Sequence, residues 1–183
     1  LVALRFMDVN GYQPLRVQVL SPVTEYGDPE ILQMAKQGNF PAELKLNQQH
    51  LLDLLDGRVP SANPQNEVYR ALLIASCNYL HTIFPFLFER IDDYTELLLP
   101  DDLTSELSII NDFIEGMTAE DCQEVEIMGW LYQFYISERK DEVFAAKGRV
   151  EKEDIPAATQ LFTPRWIVEY MVQNTVGKLW LQN

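Results

Sequence analysis

The sequence is short of positive charge and of long apolar runs, and each shortage argues against a class of protein. Only 14 of the 183 residues are Lys or Arg, against 28 Asp or Glu, which gives a net charge of −14. Nucleic-acid affinity at physiological salt comes largely from Lys and Arg displacing counterions, so an acidic body is a poor binder of phosphate backbones. No stretch approaches the roughly 18 uncharged apolar residues that a membrane span needs, so we expect a soluble protein.

Residues that usually build catalytic or metal centres are also scarce. Cys77 and Cys122 are the only cysteines, and their separation and apolar surroundings favour two reduced thiols in a reducing cytoplasm over a disulfide. His50 and His81 have no acid or cysteine cluster at ligand spacing, so we predict no metal site. No two of the eight glycines fall within ten positions of each other, so no phosphate-binding loop can be written from them. We assign no catalytic residue.

The negative charge is concentrated between Glu89 and Glu126, where Arg90 is the only base. The simplest interpretation is a solvated surface that aids solubility. A second interpretation is an acidic interaction module, or a DNA mimic that occupies a partner's DNA channel. The neighbouring acids Asp92-Asp93 and Asp101-Asp102 could chelate a cation or perform acid–base chemistry, but helix caps and solvated turns are the more common use of such pairs.

Apolar residues recur mostly at three- and four-residue spacing, which is typical of amphipathic helices. The predicted helices, with their capping signals, cover Leu1–Val9, Asp28–Lys36, Leu44–Leu55, Asn66–Phe84, Leu103–Ile114 and a segment that follows the Thr118 cap. Only Leu15–Leu20 alternates in the manner of a short strand or extended segment. The fold class predicted is therefore mainly α, as a compact helical assembly.

The end of the chain differs in character. A polar connection from Gly148 to Asp154 resembles a hinge, and we place a domain boundary near Arg149, between residues 1–148 and 149–183. Beyond it, Thr163 is a suitable N-cap and Pro164 a suitable first residue for a last helix. The free backbone N–H groups at that helix start could bind an anion such as a carboxylate, although Thr-Pro by itself is only a start signal.

Three stretches resemble one protein family. They are Ile155-Pro156-Ala157-Ala158-Thr159-Gln160-Leu161-Phe162-Thr163-Pro164-Arg165-Trp166-Ile167-Val168, Leu1-Val2-Ala3-Leu4-Arg5-Phe6-Met7-Asp8-Val9-Asn10-Gly11-Tyr12 and Gly129-Trp130-Leu131-Tyr132-Gln133-Phe134-Tyr135. The first is similar to the start of the catalytic domain of BREX-type (phage-growth-limitation) and type IIG adenine-specific DNA methyltransferases, and the other two to the helical region before it. The similarity spans nearly the whole chain.

The resemblance implies a fold, a cofactor and a site. Residues 1–148 would be an acidic helical N-terminal domain, and residues 149–183 a hinge and the first helix of a class I methyltransferase domain that is truncated here. Phe162, Thr163 and Pro164 match the element called motif X, which lies beside the carboxylate of S-adenosylmethionine in that family. The complete protein would flip an adenine out of the duplex and methylate its amino group, as part of restriction-modification or phage defence.

The sequence departs from this family in two motifs that the chemistry needs. Neither the Gly-rich cofactor loop nor the Asn-Pro-Pro-aromatic tetrapeptide that grips the base is present. The chain also begins without Met, so we expect a piece of a longer protein that is inactive alone and binds S-adenosylmethionine poorly. Its expected partners are its own missing methyltransferase and target-recognition domains, DNA through the complete protein, and a second copy of the chain through an exposed final helix.

Overall fold

The computed structural model describes residues 1–24, 27–92, 94–146 and 148–182, and every regular element in those ranges is helical. This confirms the mainly α fold class. The chain divides into two compact units, Leu1–Gln123 and Glu124–Asn183. The boundary near Arg149 that the sequence suggests lies inside the second unit, so the helix before it groups with the helices that follow it.

In the described part of the first unit, five α-helices are joined by irregular segments and two short 3-10 turns. The helices are α1 Val2–Val9, α2 Glu30–Lys36, α3 Gln48–Leu55, α4 Pro64–Ile83 and α5 Ile109–Gly116, with 3-10 turns at Tyr94–Leu98 and Asp121–Gln123. Asn47, Asn63 and Ser108 cap α3, α4 and α5 by accepting a backbone N–H three residues on, at 3.2–3.3 Å. These side-chain acceptors fix where the helices begin.

The core of the first unit is built around α4. Its residues Val68, Tyr69, Leu72, Leu73 and Leu80 are at most 1% exposed. They pack with apolar side chains from α1, α2 and α3 in one cluster. The long amphipathic helix predicted from the sequence is therefore confirmed as the central element of the unit.

Of the two predictions for Leu15–Leu20, a short strand or an extended segment, the strand is wrong. This segment is a run of turns and bends. The Gln18 N–H donates to Glu30 Oε2 at 2.7 Å, and the Gln18 carbonyl accepts the Ile31 N–H. Those of Val19, Leu20 and Ser21 donate to the carboxylate of Asp8 at 2.7–3.0 Å. The apolar side chains of the segment are buried, which accounts for the alternating pattern.

Two helix starts differ from the prediction for one reason. Pro29 and Pro164 were expected as first helical residues, behind caps at Asp28 and Thr163. Both prolines instead have an extended ψ of 141° and are themselves the N-caps, without a side-chain capping bond. The helical backbone thus begins one residue later, and Thr163 does not cap the last helix.

The helix predicted around Leu103 also begins later than expected. Asp102 accepts hydrogen bonds from the N–H groups of Thr104 and Ser105 and closes a separate turn. The Leu103 N–H donates to Asn66 Oδ1 at 2.8 Å, so the buried Leu103 reaches the core from a loop. Helix α5 starts only at Ile109, and the acids Asp101 and Asp102 are not its caps.

The second unit consists of one long helix and a chain of shorter ones. They are α6 Ile127–Ala145, a 3-10 turn Lys152–Asp154, α7 Ile155–Thr159, α8 Arg165–Val172, a π-turn Gln173–Gly177 and α9 Lys178–Gln182. The Thr118 cap, expected to open α6, instead binds Asp121 reciprocally and opens the 3-10 turn Asp121–Gln123 in the first unit.

Candidate functional site

The candidate site is the segment Phe162–Pro164, which leads directly into α8. Thr163 and Pro164 are exposed. The first helical bonds of α8 run from the N–H groups of Ile167 and Val168 to the Pro164 carbonyl. The two preceding N–H groups, of Arg165 and Trp166, therefore lie at the helix start, where no helical carbonyl precedes them.

The Thr163 hydroxyl is left available by the way α8 begins. Because Pro164 is the N-cap and α8 has no side-chain capping bond, this hydroxyl is not used to hold the helix start. A hydroxyl, two backbone N–H groups and the positive end of the helix dipole together favour a bound carboxylate. The chemistry of these donors fits the methionine carboxylate of S-adenosylmethionine.

Charged side chains near the start of α8 also affect how well a carboxylate would bind there. Arg165 Nε lies 2.7 Å from Glu169 Oε1, one turn further along α8. This bond raises the pKa of the Arg165 guanidinium, and the charges of Glu124 and Glu126 add to the effect. Arg165 therefore stays charged but is paired with Glu169, and the backbone N–H groups and the Thr163 hydroxyl are the further donors at the helix start that could attract an anion.

Phe162 connects this segment to α6. An ideal Cβ placed on Gly129 would lie 2.7 Å from Phe162 Cδ1 and 2.8 Å from Cγ, so the phenyl ring rests directly on the glycine backbone. The Tyr132 ring meets Phe162 edge-on, with 6.4 Å between ring centroids and an interplanar angle of 81°. The fold thus brings together two of the three stretches on which the family resemblance depends.

Both stretches could be recognised in the sequence, but the contact between them could not be predicted from it. The available signal was Gly129 itself, a glycine within an aromatic-rich helical stretch. A glycine inside a helix that is not needed for a positive φ often marks a close approach by another group. Which group approaches it could not be read from the sequence, because Phe162 is 33 residues further along the chain.

The helix that follows the site exposes apolar side chains over most of its length. No residue of α8, the π-turn or α9 is buried, and Trp166, Tyr170 and Trp180 are 69%, 64% and 81% exposed. Met171 and Val172 are more than half exposed, whereas Ile167 is partly buried. Monomeric soluble proteins rarely leave such a continuous apolar surface uncovered.

Several of the acids between 89 and 126 bond to nearby side chains. Arg90 pairs with Asp92 at 2.8 Å, Ser105 donates to Asp102, and Thr118 donates to Asp121 at 2.6 Å. These contacts lower the pKa values of Asp102 and Asp121. Asp93, the other half of the Asp92-Asp93 pair, lies outside the described residues. Asp102 and Asp121 therefore act as turn residues on irregular segments.

Two further features concern ligands and membranes. Within the ranges that the structure describes, no three His, Cys, Asp or Glu side chains cluster as a metal site would require. In the same ranges, no helix combines the length and apolar character of a bilayer-crossing segment. Cys77 and Cys122 are free thiols, and burial raises the pKa of each.

Comparison with known proteins identifies relatives of one class, the adenine-specific methyltransferases. No protein-family model matches the chain. Over its whole length the chain is 46% identical to the adenine-specific methyltransferase BrxX of Escherichia coli O9:H4 (strain HS), and it spans 14% of that protein. It is 36% identical to the adenine-specific methyltransferase PglX of Lacticaseibacillus casei (strain Zhang), and spans 15% of it. The resemblance inferred from the sequence is confirmed: this chain is homologous to a segment of the BrxX and PglX methyltransferases.

Proposed function

We propose that the chain is the helical N-terminal part of a larger S-adenosylmethionine-dependent enzyme that methylates the N6 amino group of adenine in DNA, within a phage-defence or restriction-modification system. The observation that carries the proposal is the full-length match to two adenine-specific methyltransferases that are about seven times longer. The chain itself contributes a scaffold and one edge of the cofactor site. It is inactive alone.

The cofactor edge is formed by Phe162, Thr163 and Pro164. The cofactor supplies an electrophilic methyl group, and these residues act only on its binding and orientation. The Thr163 hydroxyl and the N–H groups of Arg165 and Trp166 would hold the cofactor by donating to its methionine carboxylate. Pro164 contributes by fixing the backbone at the helix start, since its ring restricts φ, which is −54° here.

The exposed apolar face of α8 and α9 provides the contact with the rest of the enzyme. Its occupant is the α/β methyltransferase domain, which packs on Met171, Val172 and Ile167. Covering this face would remove from water the apolar area now exposed there. DNA is held by the parts of the protein outside this chain, because the body described here is acidic.

The proposal is tested by S-adenosylmethionine affinity of the complete protein carrying Thr163→Ala. Loss of one hydrogen bond to a charged group costs about 1.5–3 kcal/mol, so we expect an affinity roughly ten- to 100-fold weaker. Thr163→Ser should restore most of it. Thr175→Ala is a matched control, because the Thr175 hydroxyl donates to the Met171 carbonyl at 2.7 Å, in the π-turn that follows α8.

Unchanged affinity in the Thr163→Ala protein would refute the cofactor role of the hydroxyl. The stability of this chain should respond little to the same substitution, within about 0.5 kcal/mol, because Thr163 does not cap α8. The expected inactivity has its own assay, the transfer of labelled methyl groups to DNA by the chain alone. Measurable transfer would contradict it.

A further inference from the structure

Gly129 occupies a position in α6 where the backbone does not call for glycine. The residue lies in the first turn of the helix and is buried, and its φ is not in the left-handed region. Glycine within a helix is less favourable than alanine, because it loses more conformational freedom on folding. The reason for glycine at this position must therefore come from the space around it.

That space is filled by the Phe162 ring. Three ring atoms would lie 2.7–3.1 Å from an added Cβ, and two of them, Cγ and Cδ1, are at the base of the side chain, where it has little freedom to move aside. Tyr132, one helical turn further along α6, packs edge-on against the same ring. Gly116, at the end of α5, offers a contrast, because an added Cβ there meets no atom within 4 Å.

We propose that Gly129 and Tyr132 form a pocket for Phe162 that positions the cofactor edge. Phe162 directly precedes Thr163, and Pro164 restricts the next backbone torsion. Fixing the ring on α6 therefore fixes the hydroxyl and the helix start within two residues of it. Gly129 and Tyr132 are positioning residues and do not touch the cofactor themselves. This inference rests on the proposed function, and it makes α6 the helix against which the cofactor site is aligned.

The experiment is a double-mutant cycle between Gly129→Ala and Phe162→Ala in the complete protein, with Gly116→Ala as the control. The measurements are S-adenosylmethionine affinity and hydrogen exchange of the first amides of α8, those of Ile167 and Val168. Misplacing a binding group by about 1 Å can cost up to 100-fold, and we expect Gly129→Ala to weaken affinity about tenfold and to speed this exchange. Gly116→Ala should change neither.

The cycle should be strongly non-additive. Once Phe162→Ala has removed the ring, Gly129→Ala has no atom to collide with and should cause no further loss of affinity. Alanine should then protect the α6 amides better than glycine does, since it is the stronger helix former. Phe162→Leu tests the same contact with a milder change, should Gly129→Ala not yield a folded protein.

Additive losses, or wild-type affinity and exchange in the Gly129→Ala protein, would overturn the proposed pocket. Faster α8 exchange with unchanged affinity would show that the contact is structural only, and would equally overturn the positioning role. A complete wild-type protein that binds no S-adenosylmethionine would contradict the proposed function instead. The exchange measurement would in that case still decide whether Phe162 is held by Gly129.

Discussion

Asp8 provides the most demanding test of how the first unit is held together. Its carboxylate is 2% exposed and accepts five hydrogen bonds. The donors are the N–H groups of Val19, Leu20 and Ser21, the Ser21 hydroxyl at 3.1 Å and Gln13 Nε2 at 2.6 Å. Asp8 thus ties the irregular segment after α1 to that helix, in place of the pairing that a strand would have provided.

Asp8→Ala would leave three backbone N–H groups without their acceptor. A buried donor that loses its partner costs about 1–3 kcal/mol, so the three together give about 3–9 kcal/mol. Water entering the space left by the carboxylate reduces this sum, and we expect a net loss close to its lower end, about 3 kcal/mol. Asp8→Asn keeps one acceptor oxygen and should lose less.

Urea denaturation of the chain, followed by circular dichroism, measures this loss. With a denaturant slope of about 1–3 kcal/mol/M, the midpoint should fall by roughly 1–3 M. Asp28→Ala is the control, because Asp28 makes an exposed ion pair with Lys36 at 2.7 Å, and such pairs contribute about 1 kcal/mol at most. If Asp8→Ala shifted the midpoint no more than Asp28→Ala, the account of Asp8 as the organising acceptor would be wrong.

Three further predictions concern pH, the core and DNA. Burial raises the pKa of Asp8, although its N–H donors oppose the shift. The contribution of Asp8 to the free energy of unfolding should therefore be greatest below about pH 4 and decline as the pH rises through the raised pKa. If the difference in stability between the wild type and Asp8→Asn did not vary with pH, this prediction would be wrong. Leu72→Ala should lower the free energy of unfolding, measured by heat or urea, by about 2–5 kcal/mol. Leu98→Ala is the control and should lower it little, because that residue is 76% exposed. Equal losses of stability would refute the placement of the core on α4. The chain should bind duplex DNA with a dissociation constant above about 1 µM at roughly 0.15 M salt, and tighter binding by fluorescence anisotropy would overturn the charge argument.

Much of the helical architecture could be predicted from local sequence signals. Helix α1 ends where Asn10-Gly11 predicted, with Gly11 at φ 66°, and α4 covers almost the predicted range. The predictions failed where the same polar residue could either cap a helix or close a turn. Thr118 was interpreted as the cap of α6 and instead closes a short turn with Asp121. Asp102, for which a helix cap and a turn were both considered, closes a turn. Polar side chains of this kind bond to whichever nearby N–H the chain path presents.

The sequence by itself determined the helical class and the similarity to adenine-specific methyltransferases, and the candidate cofactor residues that it names stay a prediction. These follow from the spacing of apolar residues and from short motifs, both of which are properties of neighbouring positions. Only the tertiary structure decided that Asp8 would organise the 15–21 segment, and that Phe162 would rest on Gly129. Asp8 and Gly129 each contact residues that are not their neighbours in the sequence, and both lie in stretches with an ordinary helical pattern. Their partners are selected by packing and by the need of buried donors for acceptors, which no local pattern records.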